Sequence, residues 1–107
     1  PRAPSAAARQ AAEKGAAIEV VLDGVRKSFP MSHAVQTVLD AAHQAGIELP
    51  YSCAGGMCCT CRCRVVEGGS EMAVNYSLQP WEIEAGFTLA CQTRPTGERL
   101  VLDFDAV

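Results

Sequence analysis

Residues 49–64 read Leu49-Pro50-Tyr51-Ser52-Cys53-Ala54-Gly55-Gly56-Met57-Cys58-Cys59-Thr60-Cys61-Arg62-Cys63-Arg64, and the rest of the chain is best understood as the frame for this stretch. Five of the six cysteines fall between Cys53 and Cys63, and the sixth is Cys91. Cysteine-rich small domains often carry disulfides because their cores are too small to stand alone. Here the cysteines are concentrated in one stretch, no signal peptide is recognisable, and the flanking patterns supply enough apolar residues for a core. Metal ligation is therefore the better reading.

The spacing is Cys53-x4-Cys58-x2-Cys61, followed by 29 residues before Cys91. Thiolate is the natural ligand for the iron of an iron–sulfur cluster, and a two-iron centre takes four, two on each iron. Three close-set cysteines reach both irons only if their loop curls around the cluster. The fourth then comes from a separate segment, so the metal ties two parts of the fold together. This spacing matches the one known for plant-type [2Fe–2S] centres.

Cys53, Cys58, Cys61 and Cys91 are thus the candidate ligands. Ser52, Ala54, Gly55, Gly56, Met57, Cys59 and Thr60 form the supporting loop. Small residues at 54–56 let the backbone fold tightly and aim N–H groups at sulfur, which stabilises the charge added on reduction. Met57 is expected to shield the site from water. The rival reading is a structural zinc site, which also takes four thiolates but usually from two C-x2-C pairs, where this chain has one.

Working outward, Ile18-Glu19-Val20-Val21-Leu22 and Val25 to Met31 flank Asp23-Gly24, a dipeptide suited to a two-residue hairpin turn with φ > 0 at both positions. Val38, Leu39, Ala42 and Ala45 recur at helical spacing, with Thr37 as a start signal and Gly46 as a stop. Cys61 to Val66 alternates like a strand and ends at Glu67-Gly68-Gly69. Residues 77–86 suggest a short helix capped by Ser77, with Pro80 in its first turn and Gly86 at its end. Phe87 to Cys91 reads as extended, and Leu100 to Phe104 as a last strand. The order predicts an α+β domain with one main helix laid on a mixed sheet.

The chain has 107 residues, room for one domain that buries roughly 65% of its unfolded surface. Its 49% hydrophobic share is inflated by alanines near the start. Residues 1–15 carry alanine, proline and mixed charge without clear period and read as a linker, with the domain at 16–107. A chain starting at Pro1 is expected to be cut from a longer protein. Nine basic against twelve acidic residues give a net charge of −3, which disfavours nucleic acid as a partner and suits docking on a basic surface. No apolar run is long enough to span a membrane, and a cytoplasmic setting is expected.

Cys63 reads as a buried small residue, and Cys59 as a filler between ligands. His33 and His43 read as surface residues flanking the helix. Trp81 and Phe87 read as core or cover, and Arg62 and Arg64 as one strand face that is solvated by default. The functional alternative for that face is docking or tuning of the cluster potential. Glu67, Glu71, Glu82 and Glu84 read as a solvated surface. No constellation for acid–base or nucleophilic catalysis is present.

From about Ala16 to Asp105 the chain resembles a plant-type [2Fe–2S] ferredoxin domain, a fold of the β-grasp kind. The resemblance is carried by Leu49-Pro50-Tyr51-Ser52-Cys53, Cys58-Cys59-Thr60-Cys61 and Leu89-Ala90-Cys91-Gln92-Thr93. The segments Cys58 to Cys63, Met72 to Leu78 and Val101 to Asp105 are further similar to the C-terminal ferredoxin domain of phenylacetyl-CoA epoxidase reductase subunits. That resemblance implies preceding FAD and NADPH domains in a parent chain and an oxygenase, here a di-iron one, as electron acceptor. It also implies a role in phenylacetate catabolism. The fragment alone is then an electron carrier within an oxidoreductase; a free-standing ferredoxin shuttle and a zinc-stabilised interaction module are the alternatives.

Overall fold

The computed structural model describes residues 3–32, 36–49, 62–73 and 78–106. The chain runs α1 (Ala6–Lys14), β1 (Ala16–Leu22), β2 (Val25–Met31), α2 (Val38–Gln44), β3 (Arg62–Glu67), β4 (Ser70–Met72), α3 (Pro80–Glu84), β5 (Phe87–Leu89), β6 (Thr93–Pro95) and β7 (Arg99–Asp103).

The hairpin forms where its sequence places it. Asp23 and Gly24 take φ of 53° and 75°, the paired positive angles of a tight turn that matches strand twist. The Asp105 carboxylate accepts from the N–H groups of both turn residues at 2.7 and 2.9 Å, so the end of the chain locks the hairpin tip. β7 then lies parallel to β1, and the five-stranded sheet has the order β2-β1-β7-β3-β5. Every other neighbouring pair is antiparallel. β4 and β6 form a separate two-stranded sheet.

Helix α2 supplies the apolar face that covers the main sheet. Val38, Leu39, Ala41 and Ala42 are buried with Ile18, Val20, Phe29, Met31, Leu100 and Leu102 in one core. Asp40, three residues past the Thr37 cap, accepts the Thr37 N–H at 3.3 Å. The helix ends as its sequence predicts. Gly46, at φ 79°, donates to the His43 carbonyl at 3.1 Å, and Ile47 donates to the Ala42 carbonyl at 2.8 Å. This pair of bonds is the Schellman motif, and it needs the left-handed conformation that glycine adopts without steric cost. The α+β class and the mixed sheet expected from the sequence are what the chain builds.

Four local readings change. The stretch 1–15, read as linker, contains the helix α1. Its buried Ala8, Ala11 and Ala12 stand at helical spacing and pack toward β6. Alanine hides this period, because its small side chain contrasts weakly with the polar positions. β4 and β6 were not anticipated; at three residues each they are too short to show a period. Helix α3 is shorter than residues 77–86 and is capped at Gln79, with Pro80 at its first position; Ser77, the expected cap, lies outside the described residues. The last strand ends at Asp103, one residue before Phe104.

Candidate functional site

Of the four expected ligands, Cys91 is described and buried. Cys53, Cys58 and Cys61 lie outside the described residues, together with Ser52, Ala54, Gly55, Gly56, Met57, Cys59 and Thr60. The structure does define both ends of the cysteine loop. Leu49 enters it as a core residue, and Arg62 leaves it as the first residue of β3. Arg62 pairs with Leu89, two residues before Cys91. The described end of the loop thus lies across from the strand that leads into the Cys91 segment.

That segment is a rigid turn. Gln92 donates its N–H to the Leu89 carbonyl at 2.9 Å, which closes a four-residue turn around Ala90 and Cys91. The Thr93 hydroxyl donates to the same carbonyl at 2.6 Å and lies 2.7 Å from the Thr88 hydroxyl. A hydroxyl has one hydrogen, so the Thr88 hydroxyl is the donor to Thr93 Oγ1. The Ala90 carbonyl accepts from the Leu39 N–H at 3.1 Å, satisfying a donor of the first turn of α2. The Gln92 carbonyl accepts from the Ala73 N–H at 2.9 Å. β5, α2 and the residue that follows β4 thus all hold one short piece of backbone, and the Gln92 side-chain amide approaches the Cys91 sulfur at 3.8 Å.

This environment fits a thiolate ligand. The sulfur is withdrawn from water, its backbone is immobilised, and an N–H donor faces it, the kind of contact that stabilises charge on cluster sulfur. Cys63, which the sequence places as a buried filler, is fully buried; its sulfur sits 3.9 Å from the Thr88 carbonyl oxygen. His43 is exposed in the last turn of α2, while His33 and Cys59 fall outside the described residues.

Around the exit of the loop the expectations need correction. Glu82 is not a solvated carboxylate but is 5% exposed. It accepts from the Arg62 guanidinium at 2.6 Å and from the Gln79 N–H at 2.9 Å. Those contacts, the Gln79 N–H foremost and Arg62 next, hold its carboxyl below the ordinary glutamate range against the opposing cost of burial. Arg62 is accordingly no free surface charge, and its guanidinium also lies 4.7 Å from the centre of the Phe87 ring. Arg64, Glu67 and Glu84 are exposed as expected, whereas Glu71 is half-buried and approached by Arg94 at 3.7 Å and by the Ser5 hydroxyl. Trp81, read as core or cover, is 62% exposed, and Ile83 beside it is 47% exposed. Phe87 is buried.

Sequence reasoning missed Glu82 and Thr93 as parts of the site's scaffold. A signal existed for Glu82, which stands three residues after Gln79, the spacing of a capping box. For Thr93 the only signal was its place in the stretch Leu89 to Thr93; its bonds depend on the turn that brings it back to Thr88.

Residues 20–96 match the family model described as a 2Fe-2S iron-sulfur cluster binding domain. One component of the 1,2-phenylacetyl-CoA epoxidase of Escherichia coli is 42% identical over 86% of this chain and 26% of its own length. The ferredoxin reductase component of the Rhodococcus rhodochrous 3-ketosteroid-9-alpha-monooxygenase is also 42% identical, over 96% of this chain and 29% of its own. Among solved structures, the Amycolatopsis cytochrome P450 reductase GcoB superposes with a TM-score of 0.70 at 30% identity, over 85% of this chain and 26% of that one. The chain therefore spans less than a third of the length of each of these relatives. Among the described residues no helix is long and apolar enough to cross a membrane.

Proposed function

The chain belongs to the family of 2Fe-2S iron–sulfur cluster binding domains and carries electrons through such a cluster, and from that premise we propose that it is the ferredoxin portion of an oxygenase reductase. One-electron transfer needs no acid, base or nucleophile from the protein. It needs a centre held in one geometry in both oxidation states, so that little reorganisation accompanies the electron. The buried, multiply anchored turn at Cys91 is the observation that carries this reading. Cys53, Cys58 and Cys61 would complete the ligand set, and the plant-type ligand pattern corresponds to a potential of about −400 mV. A reduced flavin in a preceding part of the parent chain would supply electrons drawn from NADPH, and an oxygenase would accept them in the cytoplasm.

The likeness to the epoxidase component at 42% identity favours phenylacetyl-CoA epoxidase as the acceptor. The equal identity to the ketosteroid monooxygenase component makes a steroid oxygenase the second reading. Transfer from the dithionite-reduced domain to each oxygenase, followed by stopped-flow absorbance, distinguishes them by rate.

The ligand set is tested by iron and acid-labile sulfide content. Cys91→Ser, Cys53→Ser, Cys58→Ser and Cys61→Ser each lose the full complement, and Cys59→Ser and Cys63→Ser keep it. A Cys59→Ser variant without iron overturns the assignment. Wild-type protein without labile sulfide after anaerobic reconstitution overturns the function.

A further inference from the structure

We propose that Arg62 and Glu82 form a charge-compensated clamp that fixes the exit of the cysteine loop to α3 and sets the reduction potential by keeping the Arg62 charge neutralised. The inference rests on the cluster reading above and deepens it.

Geometry singles this pair out. The Arg26–Glu19 and Arg99–Glu67 bridges have arginine side chains 69% and 52% exposed, where water and salt screen them, and the Arg94–Glu71 bridge, though its side chains are 8% and 14% exposed, closes only to 3.7 Å. In the Arg62–Glu82 bridge the two side chains are 29% and 7% exposed, at 2.6 Å. Three further contacts fix its position. The Glu82 carboxylate accepts the Gln79 N–H at the start of α3, Arg62 lies over Phe87 of β5, and the Arg62 backbone pairs with Leu89. A buried ion pair adds little stability over apolar residues of the same volume, so its distinctive effects are on position and on the local field.

The field follows from where the pair stands. Arg62 is covalently next to Cys61, and its cross-strand partner is two residues from Cys91. A bare guanidinium there would favour the added electron, and a bare buried carboxylate would oppose it. Held at hydrogen-bond distance, the two act as a dipole whose influence falls off faster than that of either charge. Removing one partner exposes the charge of the other, so the two single substitutions must move the potential in opposite directions. Damage to the fold alone would give no such opposition.

The test is an anaerobic spectroelectrochemical titration of the reconstituted full chain at pH 7.5. Glu82→Gln is expected to raise the potential and Arg62→Gln to lower it, each by up to about tenfold in the reduction equilibrium, or about 59 mV for one electron. The double variant is expected to fall between them, and Arg62→Lys and Glu82→Asp, which keep the charges, to stay near wild type. Shifts of the same sign in the two single variants, or no shift in either, overturn the clamp. Should Arg62→Gln not load iron, Glu82→Gln against Glu82→Asp decides. A raised potential in the first alone supports the proposal, and equal potentials refute it. A wild-type chain that holds no cluster overturns the cluster reading itself, whereas loaded variants with unmoved potentials overturn only the clamp.

Discussion

Thr93→Val tests whether the turn bearing Cys91 is held by hydrogen bonds or only by packing. Thr93 is fully buried, and its hydroxyl donates to the Leu89 carbonyl while receiving the Thr88 hydroxyl. Valine has nearly the same shape, so the substitution opens no cavity, but it strands a buried carbonyl lone pair and a buried hydroxyl. Each lost bond of this kind costs about 1 kcal/mol net, more where the partner stays dry, giving about 2–3 kcal/mol in total. At about 2.1 cal/mol/K of unfolding entropy per residue, a chain of 107 residues loses about 4 °C of midpoint per kcal/mol, so a fall of about 9–13 °C is expected. Thr93→Ser keeps the hydroxyl and loses one methyl, about 1 kcal/mol and about 4 °C. The assay is the loss of cluster absorbance on heating at one fixed scan rate under argon, with the variants compared side by side. If Thr93→Val melts within about 2 °C of wild type, well under the shift expected for one lost bond, or if Thr93→Ser is the more damaging change, the hydroxyl network does not hold the turn.

Gly68 joins β3 to β4 at φ 93°, and an added Cβ would collide with the Arg99 carbonyl oxygen. Gly68→Ala therefore costs about 1–2 kcal/mol from the backbone conformation alone, with the collision added, whereas Gly97→Ala, which meets no atom, is expected to be within about 0.5 kcal/mol of wild type; thermal midpoints of the two variants check this. The lowered carboxyl of Glu82 sets a pH dependence. Its folded form gives up its proton more readily than the unfolded chain does, so its stabilisation is complete above about pH 4.3 and fades as pH falls below that value. Cluster bleaching should accordingly be faster in Glu82→Gln than in wild type at pH 7, with the ratio shrinking toward one in acid; a ratio independent of pH removes Glu82 from the account.

Local chemistry was legible from residue order alone. The cysteine spacing pointed to the cofactor, Asp23-Gly24 announced the hairpin, and Gly46 announced the end of α2, because each signal acts over a few bonds and needs no distant partner. The alternation of Leu100 to Leu102 and the spacing of Val38, Leu39 and Ala42 likewise marked core faces, since burial follows the period of the element. Other features belong to the tertiary structure. Only the parallel pairing of β7 with β1 brings Asp105 to the hairpin tip. Only the β3–β5 register puts Arg62 beside Leu89, and only the placement of α3 turns Glu82 inward while leaving Trp81 outside. The physical reason is that a charge or a hydroxyl acquires its role from the group it meets, and for Glu82 and Ser5 that group arrives through the folding of another segment.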